Sequence, residues 1–541
     1  MPHADSPEFI AYAEALGCGG LLTGGTAQVT AEEITAAGGL SAAITLKAAQ
    51  ILRETVSALE IPPQETDKLA QLKYLTPHRA PHLDEYLAML MFRACLPEEY
   101  RNLETRETTL FSLRDDAEAK ALWARSAVFG IGGTANGGAT ALLGFDEHVP
   151  DGESRDSDSL TMLLKRRMFG SQAVPPALYT LLNEVDCIDS SGGAHPKNLA
   201  SYIKNLQNTP ITSDGAYMDP TWKTAVCDGA LSALLMALRD DVPLSDRRVW
   251  LPAVRATLDN YRNRSPLKSD PLFADAYSKV RNLFLTTFDK EISKGATLLT
   301  YADEQGRRVP RKSKSGRTTA QIMLMPYIAA AVQRYWGAEL GELILAPFWH
   351  TRIAREMAHT RVSRALTRDA KPTGAGYEEL QTEVGRVTLI RCLPAEIPIA
   401  DGVSMTGESW IIDFDADETV AAPGAINRYL QTNNNGLGYT IFRDAHSGTI
   451  VLSKGSSTPE SEWVAVVNAL LEDEGSSDAQ DLAPSATGEP AEIGCWHVTR
   501  NANGYAAFLL NGNPAHRYVP KSAICADMLA DIVEWAQTIN N

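Results

Sequence analysis

The chain has 541 residues, with 44% hydrophobic and 22% charged side chains, a composition typical of a globular protein of about two to four domains. Acidic residues outnumber basic ones by 67 to 50, which gives a net charge of −17. This charge opposes indiscriminate binding to nucleic acids or anionic membranes, but it is compatible with a local basic channel.

Cysteine usage and the N-terminal residues indicate the compartment. The seven cysteines are scattered without a CxxC pair, which favours reduced thiols over a disulfide framework or a zinc ribbon. The N-terminal residues lack a basic region before an apolar stretch, so no secretory signal peptide is predicted. No apolar run approaches the roughly 20 residues needed to span a bilayer. These features predict a soluble cytoplasmic protein without a membrane partner.

Residues 1–70 predict a helical extension that contains no evident ligand site. A stretch rich in Gly, Ala and Thr covers residues 17–39, and apolar residues recur near helical spacing over residues 41–59. The segment Ile61-Pro62-Pro63 should end that helix.

The first candidate metal motif lies between a strand predicted over residues 73–76 and a helix predicted over residues 84–96. His78, His82 and Asp84 follow the spacing H-x3-H-x-D at this junction, where α/β folds place ligands. Alternation along an extended segment would point His82 and Asp84 to the same side. Nitrogen and carboxylate ligands together suit manganese, iron or zinc better than calcium. A surface loop with two histidines is the alternative interpretation.

Two further strands are predicted over residues 127–133 and 141–145. The first runs into a Gly-rich turn without Gly-Lys-Ser/Thr, which excludes a nucleotide P-loop. The second ends just before Asp146, Glu147 and His148. Taken alone, these three residues are better explained as an acidic turn than as part of a metal site. Strands that alternate with helices in this way predict a parallel α/β sheet.

A third acidic segment, Glu184-Val185-Asp186-Cys187-Ile188-Asp189, follows a helix-like stretch. Its aspartates taken alone could cap the next turn. Three such clusters at the ends of predicted elements favour one shared site over three unrelated ones.

The pattern is helical from about residue 220 to residue 370, with two of the predicted helices near residues 318–335 and 347–366. Residues 306–317 hold six cations and no acid between two helices, and the helix over 347–366 carries further arginines, among them Arg352 and Arg355, that could contact phosphates. A basic segment in an acidic chain favours contact with a nucleic-acid backbone over a solvated linker. The residues that we expect to bind substrate are Arg307, Arg308, Arg311 and Lys312. Strand-like runs return after residue 385, and a strand-and-helix unit covers residues 495–536.

The three acidic and imidazole motifs resemble those of the DHH phosphoesterase superfamily. The most similar branch is the melanocyte-proliferating-gene type, whose members are metal-dependent RNA exonucleases. Asp219-Pro220-Thr221-Trp222 also resembles the NPTW box of that branch, and residues 494–508 resemble a degraded form of its C-terminal segment. The resemblance covers roughly residues 72–300 and, more weakly, residues 385–541.

The resemblance implies an α/β fold in four parts. These are an N-terminal helical extension over 1–70, a parallel-sheet DHH-like phosphoesterase domain over 71–300, a helical basic insertion over 301–384 and a smaller C-terminal α/β substrate-binding domain over 385–541. It also implies a divalent metal, Mn²⁺ in the first place and Mg²⁺ as the alternative, held by His78, His82, Asp84, Glu147 and Asp186. Asp146 would orient the next residue, and His148 would contact the substrate phosphate.

The first functional prediction is a metal-dependent phosphodiesterase, an exonuclease on RNA or DNA whose substrates could extend to small nucleotides. Two positions depart from the family, because Gly130 stands at its bridging aspartate and Glu147 at a metal-binding histidine. The second prediction is therefore a catalytically degenerate subunit that binds nucleic acid or nucleotides within a larger complex, and homo-oligomerisation stays open. A phosphatase or pyrophosphatase for small molecules is a third possibility, against which the basic segment argues.

Overall fold

A computed structural model gives the fold. It describes the following residues: 27, 29–56, 68–78, 81–108, 117–130, 141–145, 159–169, 173–191, 198–209, 211, 217–243, 246–288, 301–302, 308–309, 324–364, 376–382, 385–392, 397–400, 403–405, 408–415, 437–444, 449–454, 491–493, 496–500 and 506–511. The chain forms two units, Met1–Glu356 and Met357–Asn541. The boundary between these units falls inside the segment 301–384 that the sequence assigns to an insertion.

The first unit contains a small parallel sheet. Its four strands are β1 (Tyr74–Pro77), β2 (Glu104–Thr105), β3 (Ser126–Phe129) and β4 (Leu143–Phe145), in the order β2-β1-β3-β4. Tyr74 pairs with Ser126, and Ala127 pairs with Leu143. Every residue of β3 is buried, as expected for a central parallel strand covered on both faces.

Helices make up most of the first unit. They are α1 (Ala31–Ala37), α2 (Leu40–Thr55), α3 (Leu83–Cys95), α4 (Ala117–Trp123), α5 (Leu160–Phe169), α6 (Pro176–Ser191), α7 (Leu199–Asn208), α8 (Pro220–Arg239), α9 (Arg247–Arg264), α10 (Phe273–Asn282) and α11 (Met325–Arg364). A π-helical turn over Leu283–Phe288 continues α10. The helix α11 is kinked at Gly337, whose φ of 78° a residue with a side chain would adopt only under strain.

The helix α3 carries the first metal motif, and all of its residues are buried. A helix that is buried around its whole circumference belongs in the interior of a domain, and α3 contacts α2, α5 and α6. It ends at Cys95 because Pro97 disfavours a helical conformation for the residue before it. The core therefore fixes the position of the first turn of α3.

The helices α8 and α11 pack closely within the same unit. Asp219 caps α8 by accepting hydrogen bonds from the backbone N–H groups of Thr221 and Trp222, and Pro220 opens the helix. Trp336 Nε1–H donates to the carbonyl oxygen of Gly229 at 2.9 Å. Truncating a buried tryptophan to alanine typically costs about 3–5 kcal/mol of stability, so this contact is a substantial part of the core.

Eight described strands of the second unit form one sheet. They are β7 (Gly376–Thr382), β8 (Gly385–Cys392), β11 (Glu408–Asp415), β12 (Leu437–Asp444), β13 (Thr449–Lys454), β14 (Ala491–Ile493), β15 (Trp496–Arg500) and β16 (Ala506–Asn511). Their order in the sheet is β14-β15-β16-β13-β12-β11-β8-β7. Neighbouring strands are antiparallel, except that β11 and β12 are parallel.

Two short hairpins complete the described strands, β5 (Tyr301–Ala302) with β6 (Arg308–Val309) and β9 (Ile397–Ala400) with β10 (Val403–Met405). The mixed α/β class predicted from the sequence is confirmed, with helices predominating in the first unit. Among the described residues, no helix is both long enough and apolar enough to cross a membrane.

Candidate metal centre

The candidate site lies at the carboxyl end of β1, where the sequence predicted a strand-to-helix junction. His78 follows Pro77 and forms an isolated parallel bridge with Thr108. His82 is the N-cap of α3, and Asp84 and Glu85 lie in the first turn of that helix. The helix N-terminus stabilises these negative charges.

A reciprocal capping arrangement fixes this junction. The backbone N–H of His82 donates to Glu85 Oε2 at 2.6 Å, and Glu85 Oε1 lies 2.5 Å from His78 Nδ1. The imidazole rings of His78 and His82 meet edge-on, with their centroids 5.0 Å apart. One buried carboxylate therefore connects the residue that ends β1 with the residue that opens α3.

Two overlapping groups of side chains have ligand atoms within 4.8 Å of one another. The first is His78, His82 and Glu85, and the second is His82, Asp84 and Asp189. Asp84 and Glu85 are buried, whereas His82 and Asp189 are exposed. Imidazole and carboxylate donors together suit Mn²⁺, Fe²⁺ or Zn²⁺, so the donor set fits the type of metal that the sequence implied.

Glu85 is ionised in this environment. Burial by itself raises the pKa of the Glu85 carboxyl, but the positive charge of His78, the hydrogen bond from its ring, the positive charge of His82 and the hydrogen bond from the His82 backbone N–H together lower the pKa. An ionised carboxylate can only accept hydrogen bonds. Nδ1 of His78 must therefore carry the proton that it shares with Glu85 Oε1.

Gly130 closes the site from the end of β3. Its φ is +65°, and its backbone N–H donates to the carbonyl oxygen of Phe145 at 2.8 Å. A Cβ atom at this position would lie 2.8 Å from Glu85 Oε1, which is closer than real Cβ contacts. The carboxylate of Glu85 thus occupies the space that a side chain at position 130 would need.

The loop before α3 is held by α7, because Gln207 Nε2 donates to the carbonyl oxygen of Pro81. The same glutamine contacts the hydroxyl of Tyr86. Burial raises the pKa of Tyr86 well above its ordinary value, and this hydrogen bond opposes the rise. Tyr86 therefore stays neutral beside the candidate metal centre.

The structure brings together only some of the residues that the sequence predicted for the metal site. His78, His82 and Asp84 belong to the two groups. Asp186 belongs to neither of the groups formed by described residues, and its Oδ1 accepts a hydrogen bond from the backbone N–H of Ser159 at 2.9 Å. Asp146, Glu147 and His148 lie outside the described residues.

The basic segment is described only in part. Arg308 lies in β6, where its backbone pairs with Ala302, while Arg307, Arg311 and Lys312 lie outside the described residues. Two arginines of α11, which the sequence offered as further phosphate contacts, bind within the protein. Arg352 pairs with Glu356 at 2.6 Å, and Arg355 donates to Asn205 Oδ1.

Two residues of the site were not assigned from the sequence. Glu85 stands three residues after His82, and that spacing of an N-cap and an acidic residue is the signature of a capping box. Asp189 lies inside α6 with Asp186, three residues further along the helix. Helical spacing places these aspartates on neighbouring positions of one face but does not reveal which of them turns toward His82.

Comparisons of the chain with models of protein families, with curated proteins and with solved structures find no match. The proposal for its function therefore depends on the geometry of the candidate metal centre and on the motifs of the sequence.

Proposed function

We propose that this protein is a metal-dependent phosphodiesterase with a DHH-like first domain, and that it acts as an exonuclease on RNA or DNA. The observation that supports this proposal best is the approach of His82, Asp84 and Asp189, whose ligand atoms lie within 4.8 Å of one another. They meet beside the carboxyl end of a parallel strand, the usual place for ligands in α/β folds.

Each residue of the centre has a distinct part in this proposal. His82, Asp84 and Asp189 would hold the cation, whereas His78 groups with His82 and Glu85. Buried Asp84 provides a negative charge that solvent screens little, and exposed His82 and Asp189 leave the centre accessible to a phosphodiester. When bound, the divalent ion supplies Lewis-acid stabilisation of charge that develops on phosphate, and it activates water.

The alternative is a catalytically degenerate binding subunit, and Gly130 is the observation that favours it. Position 130 ends β3 beside Glu85 and contributes no carboxylate of its own. A centre that holds one ion instead of two cannot stabilise both the attacking and the leaving oxygen with a metal. This alternative predicts salt-sensitive binding of oligonucleotides without turnover.

Manganese-dependent cleavage is the first test. Purified protein is incubated with end-labelled single-stranded RNA, single-stranded DNA and linear or cyclic dinucleotides, with Mn²⁺, with Mg²⁺ or with a chelator. We expect shortening from one end with Mn²⁺ and no product with the chelator. Salt-sensitive binding of intact substrates in every condition would contradict the enzyme and support the binding subunit.

The basic segment should matter only for long substrates. Reversing the charge at Arg307, Arg308, Arg311 and Lys312 removes cations that would contact the phosphates of a polynucleotide. We expect activity on oligonucleotides to fall about tenfold or more at moderate salt, while hydrolysis of dinucleotides stays unchanged. The measurement is kcat/KM on both substrates. Equal activity of the variant on long oligonucleotides would instead favour a small-molecule phosphatase.

A further inference from the structure

A cavity of about 510 Å³ lies at the amino end of β1, beside β2. Lys73 and Tyr74 line it where β1 begins, and Glu104 and Thr105 line it from the neighbouring strand. The candidate metal centre is at the opposite end of β1, because the four residue steps from Tyr74 to His78 span about 13 Å in an extended strand. Small-molecule sites usually have volumes of about 300–1,000 Å³, so this second cavity has the size of a ligand site.

A buried arginine forms part of the cavity wall. Arg93 lies in the last turn of α3, is 2% exposed and lines the cavity. Its Nη1 donates to the carbonyl oxygens of Arg101 and Leu103 at 2.6 and 2.9 Å, while Nε has no hydrogen-bond partner among the described residues. Burial lowers the pKa of Arg93 only to about 10, so the guanidinium stays charged. A buried cation is costly to the fold unless an anion accompanies it.

Asp228 does not neutralise this guanidinium. It lies on α8, near enough for its charge to act on Arg93, but its carboxylate oxygens form no hydrogen bond within the described part of the chain. Burial raises the pKa of Asp228 to about 8, so the carboxyl is neutral near neutral pH. Both hydrogen bonds of Arg93 leave from Nη1, so the edge formed by Nε and Nη2 keeps donors for an oxyanion in the fork geometry typical of arginine.

Side chains with hydroxyl groups are frequent on the other walls. Ser41 and Thr45 line the cavity from α2, Thr105 lines it from β2, and Thr221 lines it from the first turn of α8. The positive end of the α8 dipole favours an anion at that wall. Hydroxyl groups both donate and accept hydrogen bonds, so they suit phosphate oxygens and the hydroxyls of a sugar.

Two acids also line the cavity, but neither cancels the charge of Arg93. Glu104 is paired with Arg106, which donates to its two oxygens at 2.8 and 3.3 Å. Glu99 is exposed, so solvent and salt screen its charge, and exposed Lys73 opposes it. The most buried charge on the cavity wall is therefore positive.

We propose that this cavity binds a phosphate ester of a sugar or a nucleoside, with the phosphate on Arg93 and the sugar among the hydroxyl-bearing walls. A phosphate group has three acceptor oxygens for the guanidinium, the hydroxyls and the end of α8, one more than a carboxylate. An inorganic phosphate would leave most of the cavity unfilled, whereas an ester of nucleotide size suits its volume. The site does not depend on the metal centre, and the proposal stands whether or not the chain cleaves phosphodiesters.

Calorimetric titration of the full chain with defined probes tests the proposal. The probes are ribose 5-phosphate, AMP, inorganic phosphate, adenosine and citrate, all in a chelator that keeps divalent ions from the metal centre. We expect ribose 5-phosphate or AMP to bind and to raise the Tm, and inorganic phosphate and adenosine to bind at least about tenfold more weakly. Tighter binding of AMP would identify a nucleoside ester, and equal binding of the two esters would identify a sugar phosphate.

Two variants locate the ester in the cavity. Ala42→Leu fills space from α2 without changing a charge, and Ala274→Leu, at an exposed position of α10, is its matched control. Arg93→Lys keeps the charge but removes the fork. We expect Ala42→Leu and Arg93→Lys to weaken binding of the ester by about tenfold or more, and Ala274→Leu to leave it unchanged.

Thermal unfolding without ligand identifies any variant that fails to fold. If Arg93→Lys does not fold, Lys73→Gln takes its place, because Lys73 is exposed at the cavity and its loss should weaken the ester a few-fold without disturbing the core. Asp84→Asn, which changes only the metal centre, should bind the ester as the wild-type chain does.

Three results would overturn the proposal while leaving the metal centre untouched. One is a wild-type chain that binds neither ester, or that binds citrate more tightly than both. Another is equal binding of the ester by folded Ala42→Leu and the wild-type chain. The third is loss of the ester in Asp84→Asn, which would place the ligand at the metal centre instead.

Discussion

An Asp84→Asn variant is expected to bind Mn²⁺ at least about 100-fold more weakly than the wild-type chain. This loss is larger than the usual effect of removing a residue that only hydrogen-bonds to a metal ligand. Asp84 is 3% exposed and stands in the group with His82 and Asp189. Asparagine keeps the shape but removes the negative charge that offsets a buried cation. Hydrolysis of phosphodiesters should fall below detection in the same variant.

The matched control for this variant is Asp186→Asn. Asp186 lies in the same helix as Asp189, but its carboxylate accepts the Ser159 backbone N–H. We expect Asp186→Asn to bind Mn²⁺ as the wild-type chain does. Titration calorimetry and elemental analysis measure both variants. If Asp84→Asn keeps stoichiometric Mn²⁺, or if Asp186→Asn alone loses it, the ligand set is wrong.

An Asp228→Asn variant is expected to change how stability depends on pH. Asp228 lies on α8, is fully buried, and neither of its carboxylate oxygens has a hydrogen-bond partner among the described residues. Burial raises its pKa from 3.8 to about 8, and the positive charge of Arg93 opposes this rise. Arg93 instead donates from Nη1 to the carbonyl oxygens of Arg101 and Leu103.

The direction in which Asp228 changes stability with pH follows from proton binding. Between pH 3.8 and about pH 8 the folded chain holds the Asp228 proton more tightly than the unfolded chain. The stability that the neutral carboxyl contributes is complete below pH 3.8 and is lost as the pH rises to about 8. The loss is about 1.4 kcal/mol per pH unit, so the total is on the order of 5 kcal/mol.

Asparagine carries no titratable proton, so Asp228→Asn should match the wild-type chain near pH 4 and exceed its free energy of unfolding by several kcal/mol at pH 8. Urea denaturation across this range measures the difference between the two chains. Asp275→Asn, on the exposed side of α10, serves as the control. A constant difference between Asp228→Asn and the wild-type chain at every pH would contradict a buried, neutral Asp228.

Much of the scaffold of the site could be predicted from local patterns. The strand before His78 and the helix after it are confirmed as β1 and α3, since alternation and helical periodicity are short-range signals. His78 and Asp84 each share a group with His82, although no group of described residues contains all three. The predicted reason was wrong, however. His82 and Asp84 meet through the first turn of a helix, and not through alternation along an extended segment.

Contacts between distant segments could not be predicted in this way. Taken alone, the aspartates at 186 and 189 could have capped a turn, and Asp186 was the predicted metal ligand, but both lie inside α6, so their directions depend on what packs against that helix. Ser159, which binds Asp186, is 27 residues away along the chain. The choice of Asp189 over Asp186 is a property of tertiary packing, which periodicity does not encode.

The two helices predicted over residues 318–335 and 347–366 correspond to the two helical segments of α11, which meet at a kink at Gly337. The cations of this helix show a related limit, because charge patterning overstated how many of them are exposed. Arg352 and Arg355 have partners on α11 itself and on α7, and a count of cations cannot reveal such partners.

Anomalous diffraction from a crystal of the protein with Mn²⁺ tests the central claim most directly. We predict a strong peak at the manganese absorption edge within coordination distance of His82, Asp84 and Asp189. A crystal that contains Mn²⁺ only elsewhere, with these three side chains facing away from one another, would contradict the proposed metal centre.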